Sequence, residues 1–159
     1  MYIRTCFFGA CGLLAMSAAF ADEMTFSGTG YGMTENTVHM VADGHMLMEL
    51  KTAYSGFEID DPDNPMNGMT GPCFGAMEVK GAAVTGGGRC LYTDADGDMV
   101  SMQWTPEAMA ADGAVTGSWS VSGGTGKWMD ASGEGTFSSL ANPDTGESAN
   151  SVIGKVMLP

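Results

Sequence analysis

Gly123-Gly124-Thr125-Gly126-Lys127-Trp128-Met129-Asp130-Ala131-Ser132-Gly133-Glu134-Gly135-Thr136-Phe137 joins a glycine-dense turn to a segment with strand-like alternation. Gly123, Gly124 and Gly126 permit positive φ in a tight turn. Gly133 and Gly135 permit either close backbone approach or a bulge where a strand must bend. The stretch is not a phosphate loop, because Trp128 follows Lys127 where serine or threonine is required and Val121 stands in the place of the first glycine. It speaks to architecture and not to nucleotide chemistry.

Outward from this stretch the chain reads as all-β. It has 24 glycines in 159 residues, frequent Thr, Ser and Val, and hardly any run of strong helix formers. Strands are expected over 24–33, 36–42, 45–54, 73–80, 84–93, 99–105, 114–122, 134–141 and 149–158, with only Pro106 to Asp112 briefly helical. Short strands separated by turn residues make a barrel or sandwich. Val100, Met102 and Trp104 fall on one strand face and suit the core, Trp104 needing a partner for its indole N–H. Trp119 and Val121 share an inner face opposite Ser118, Ser120 and Ser122.

Asp43-Gly44 between two β-like runs favours a two-residue type I′ hairpin. That register sets His39 opposite Met48, Val41 opposite Met46 and Ala42 opposite His45, so His39, Val41, Met46, Met48 and Leu50 are expected on one face and Val38, Met40, Ala42, His45 and Leu47 on the other. Both faces are largely apolar. One is expected inside the barrel and the other covered by a neighbouring element or by another subunit. Residues 60–72, rich in Pro, Asp, Asn and Gly, cannot extend a ladder and are expected to form a long surface loop suited to binding.

Residues 1–21 combine the basic Arg4, an apolar run from Cys6 to Phe20 and the ending Ala19-Phe20-Ala21. This is the pattern of an export signal cut before Asp22, leaving residues 22–159 as a single domain, soluble in the periplasm or outside the cell. Its apolar run is too short to span a bilayer. Beyond it, Lys51, Lys80, Arg89, Lys127 and Lys155 are the only basic residues against nineteen acidic ones. That balance argues against nucleic acid and anionic lipid as partners. Only Cys73 and Cys90 remain after cleavage, and an oxidising compartment makes a disulfide between them the default.

Asp94, Asp96 and Asp98 place three carboxylates in a flexible loop, the oxygen chemistry that calcium takes. An ordinary β-turn selects the same residues and is the preferred reading, since the loop lacks the glutamate of a helix-loop-helix calcium site and has Thr105 there instead. The chain has fifteen methionines. With His39 and His45 they raise copper, His39 beside Met46 and Met48 being the one credible micro-site. Methionine as core or cavity filler is the preferred reading, the expected hairpin placing His39 and His45 on opposite faces. Glu49, Glu58 and Glu78 are weak candidates for general acids.

Cys73 and Cys90 bracketing a strand pair, the hairpin Tyr92-Thr93-Asp94-Ala95-Asp96-Gly97-Asp98, Trp104 ending the next strand, and the Gly-Gly-Thr-Gly-Lys-Trp motif lie together between residues 73 and 137. In them the chain resembles bacterial exported proteins of the allene oxide cyclase-like, dirigent-type β-barrel group. The resemblance implies an eight-stranded antiparallel, calycin-like barrel with an apolar cavity open at one end, often a trimer in the plant relatives, where the cavity steers a reactive intermediate. The polar residues of those enzymes match no positions here, so their activity is not carried over. The function expected is binding of a small apolar molecule, without a cofactor. The alternatives are a cyclase- or dirigent-like enzyme and a structural barrel with a filled core.

Overall fold

The computed structural model describes residues 22–159, so the expected export signal at residues 1–21 lies outside the described residues. Eight antiparallel strands form one closed barrel in chain order, with the last pairing back onto the first. They are β1 Asp22–Ala42, β2 His45–Ile59, β3 Gly71–Lys80, β4 Ala83–Thr93, β5 Met99–Met109, β6 Val115–Gly124, β7 Ser132–Ala141 and β8 Glu147–Leu158. Antiparallel neighbours need only turns between them. The all-β, eight-stranded antiparallel barrel expected above is the architecture of this chain, and Gly126–Trp128 adds one 3-10 turn.

Three local expectations are corrected. The strands placed at 24–33 and 36–42 are one strand of 21 residues. Pairing of β1 with β8 ends at Met33, and Thr34 then donates its N–H to the Gly146 carbonyl at 2.7 Å, after which β1 continues with β2 alone. Pro106 to Asp112 is not helical: β5 runs on through Met109. Glu107 is the extra residue between the pairs Pro106–Gly117 and Ala108–Thr116, and a bulge is where a strand tolerates proline.

The third correction concerns the hairpin. The Asp43-Gly44 turn forms, with Gly44 at φ +67° and Ala42 opposite His45. A register shift between Met40 and Ala42 then makes Val41 an extra residue, so Met40 faces Met46, His39 faces Leu47 and Val38 faces Met48. One inserted residue flips every later side chain to the other face. Val38, Met40, Met46, Met48 and Leu50 therefore share the inner face, while His39 joins His45, Leu47 and Glu49 outside. Near the turn neither face is covered, since Val38, Met40, Val41 and Leu47 are all exposed.

The barrel interior alternates wide rings with glycines. A Cβ at Gly154 would lie 2.4 Å from the Trp119 ring and one at Gly135 2.6 Å from it. Gly75 and Gly88 leave the same room for Trp104, each at 2.5 Å. Small positions facing large ones are how a narrow barrel is filled. Close approach therefore explains Gly135, and the pairings of β7 contain no bulge. In the opening motif Gly123 and Gly126 take positive φ, whereas Gly124 instead makes room for Trp128.

Cys73 and Cys90 face each other across β3 and β4 and are joined by a disulfide 17 residues apart in sequence. Replacing both by alanine is expected to lower stability by roughly 3 kcal/mol on the chain-entropy account. Urea unfolding of both forms without reductant measures it.

Candidate functional site

One end of the barrel is sealed by three loops. The segment Asp60–Thr70 is not simply a surface loop: Asn64, Met66 and Met69 are buried within the barrel end. Its polar residues fold it inward by satisfying the backbone locally, the Asn64 side-chain oxygen accepting the Met66 N–H at 3.0 Å and that of Asn67 the Ile59 N–H at 3.2 Å.

Asp94 and Trp128 form the centre of the seal. Trp128 is fully buried and donates its indole N–H to Asp94 Oδ2 at 2.9 Å, while Asp94 Oδ1 accepts the N–H groups of Asp96 at 2.9 Å and Asp98 at 3.0 Å. The Lys127 ammonium lies 3.0 Å from Asp94 Oδ2 and 2.6 Å from Asp96 Oδ2, and the Lys127 backbone N–H donates to Asp98 Oδ2 at 3.1 Å. The aspartate loop and the glycine motif are thus two halves of one latch. A lysine bridges the carboxylates considered for calcium, and among the described residues no group of three or more His, Cys, Asp or Glu converges as a metal site.

Burial works against the Asp94 charge, but donors from Trp128, Lys127 and the two amides outweigh it and hold the carboxyl below the usual carboxylate range. Hydrogen bonds to Asp96 and Asp94 push the Lys127 ammonium above its ordinary value. A depressed carboxylate stabilises above its unfolded pKa and loses that contribution as pH falls through the folded one. A raised amine stabilises below its unfolded pKa and loses it as pH rises through the folded one. Melting temperature is therefore expected to hold around neutrality and fall at both extremes, and Asp94→Asn to flatten the acid limb. An acid limb of unchanged slope in that variant counts against the latch.

Above the seal lies a cavity of about 170 Å³ that opens towards the end bearing the Asp43-Gly44 turn. Phe57, Tyr54 and Tyr92 form its aromatic floor, with ring centroids 5.1–5.7 Å apart, and Met66 joins them from the sealing loop. Met48, Met77, Met102 and Met109 line the wall, and the disulfide sulfurs belong to residues of the same wall. Thioethers adapt to irregular shapes, which suits a permissive pocket. No residue of this lining carries a charge.

Three polar side chains meet on one side of the cavity. Ser139 and Asn150 are cross-strand partners on β7 and β8, and the Tyr54 hydroxyl approaches both. Gly30 pairs with Asn150 and Gly32 with Tyr54, so the inner face of the intervening β1 is bare there. Burial pushes the Tyr54 phenol up to about 12, against smaller opposite pulls from Ser139 and Asn150. Burial, with the neighbouring Tyr54, raises Tyr92 well above its ordinary value. Among the described residues two buried polar side-chain atoms lack a partner, Asn150 Oδ1 and Trp104 Nε1, so the partner expected for Trp104 is not found. Trp119 does find one, the Thr136 carbonyl at 3.2 Å.

The remaining candidates lie elsewhere. His39 points outward, away from Met46 and Met48, so the proposed copper trio does not meet, and its Nε2 lies 3.7 Å from Glu49. His45 pairs with Glu78 at 2.6 Å. Glu49 and Glu58 are exposed and none of the three glutamates lines the cavity. Sequence reading missed Tyr54, Ser139 and Asn150. Alternation of Tyr54 with Leu50 and Thr52 put the three on one strand face without telling which face is inner, and nothing local marked Ser139 and Asn150 as its neighbours.

The fold is a closed antiparallel barrel of eight strands, plugged at one end and hollow towards the other. Among solved structures the chain is similar to the pterocarpan synthase dirigent protein GePTS1, with a TM-score of 0.53 and 9% sequence identity over 95% of this chain and 97% of that one. At that identity the likeness is one of fold. No family model and no curated protein matches the chain.

Proposed function

We propose that this is an exported protein that binds one small, uncharged, largely apolar molecule in its barrel cavity. The observation that carries the reading is a cavity of about 170 Å³ with a wholly uncharged lining. An apolar cavity of about 150 Å³ accepts a molecule the size of benzene, so the capacity is a small molecule of one or two fused rings or a short chain. An ionised ligand would be desolvated without a counter-charge. Export is supported by the pattern of residues 1–21 and by the disulfide.

The cyclase- or dirigent-like alternative draws on the polar cluster of Tyr54, Ser139 and Asn150 in an otherwise apolar pocket. Against proton-transfer catalysis stand the two phenols, raised far from the pH at which general acids and bases work. An outer apolar band of Tyr31, Met33, Pro72, Leu91 and Leu140 supports self-association. Native mass spectrometry of protein purified from cells that export it tests both points. A retained small organic mass supports binding. An empty barrel that takes up no small aromatic at millimolar concentration rejects binding, and a monomer at micromolar concentration rejects self-association.

A further inference from the structure

Asn150 is the anomaly of the cavity. It is 9% exposed, it lines the pocket, and its Oδ1 is sealed from solvent without a donor. A buried acceptor left unpaired costs far more than a made hydrogen bond gains, so such an atom in a folded protein calls for an explanation. Trp104 Nε1, the other unpaired atom, has a structural one: it is pressed against Gly88, where a Cβ would stand 2.5 Å away, and no ligand can enter between them. Asn150 instead is a lining residue of the cavity, with Oδ1 as placed just out of an occupant's reach. The torsion of its terminal amide is soft, so a small rotation presents Oδ1 to an occupant.

The surroundings define what the occupant must offer. Ser139 and Tyr54, the polar neighbours of Asn150, are hydroxyls that both donate and accept. Tyr54 stays protonated at any physiological pH. The cluster is therefore neutral throughout, and Asn150 Oδ1 is the acceptor in it that has no donor in place.

We infer that Asn150 is the specificity-determining residue of the cavity, selecting neutral ring-sized molecules that carry an N–H or O–H donor and accepting that donor at Oδ1. This rests on the reading of the cavity as a binding site, and it adds a rule for which apolar molecules are held. A site built to pair with a ligand hydrogen discriminates against an isostere lacking it, because its own buried group is then left alone.

Indole, benzofuran and indene have nearly one shape and differ in offering an N–H donor, an ether acceptor, or neither. Amide-resonance NMR titration of the purified protein with each probe gives the three affinities and reports the Asn150 side-chain NH₂ directly. Indole is expected to bind roughly tenfold more tightly than benzofuran or indene and to shift the Asn150 side-chain signal. Asn150→Leu, similar in volume, is expected to bring the three probes within about twofold of each other while indene still binds. Equal affinities for the wild-type protein overturn the donor rule and leave the binding reading intact. Failure of all three to bind overturns both. The wild-type comparison decides the matter even where Asn150→Leu does not fold.

Discussion

Trp128→Ala is expected to remove about 3–5 kcal/mol of stability, the range for deleting a large buried aromatic. For a domain of this size that corresponds to a fall of about 10–20 °C in melting temperature. Two effects combine: the fully buried ring leaves a hole at the sealed end, and Asp94 keeps its charge but loses the indole donor. Trp128→Phe separates them. It keeps most of the ring, loses only the donor, and should cost about 1.5–3 kcal/mol because the lost bond is to a charged group. The same variant should bring the Asp94 carboxyl back towards its ordinary range, moving the acid limb of the melting profile to higher pH. Urea melts across pH measure both quantities, and an acid limb that stays in place in Trp128→Phe would disconnect the indole from Asp94.

The second large effect comes from adding a single methyl group. Gly154→Ala would place Cβ 2.4 Å from the Trp119 ring and 2.5 Å from the Glu134 carbonyl oxygen, and a backbone atom cannot step aside cheaply. A loss of about 1–3 kcal/mol is expected, the usual cost of overpacking. Gly56→Ala in β2 is the control. A Cβ there meets nothing within 4 Å, and Gly56 does not have positive φ. Alanine at that position is expected to be neutral or to stabilise by about 0.4–1 kcal/mol through the unfolded chain. Equal behaviour of the two variants in thermal melts would refute the pairing of rings with glycines.

The contrast between these glycines also marks how far the sequence could be read. Period-two patterning located the strands, and the turn at Asp43-Gly44 was legible because an Asp-Gly pair selects a hairpin chemically. The bulges were not. Val41 and Glu107 look like any strand residue, yet as extra residues they moved His39 to the outer face and carried β5 past Pro106. Whether a glycine turned, bulged or made room was also hidden, since that depends on a ring supplied by another strand.

The cavity was legible as a consequence of barrel closure, but its polar corner was not. Tyr54 lies far from Ser139 and Asn150 in sequence, and the three meet only because β8 closes onto β1 where β1 presents glycines. The reverse held for the aspartate loop and the Lys127 motif. Each was visible, but neither named the other as its partner, so an intramolecular latch read as two separate candidates.

The division of the interior into fixed rings and compliant thioethers sets what can be redesigned. Each indole and its glycines form a lock that tolerates no independent change, whereas Met48, Met77, Met102 and Met109 sit on the wall and lean on no such partner. A library confined to those four positions should remodel the pocket for guests of new outline while leaving the scaffold's keystones untouched.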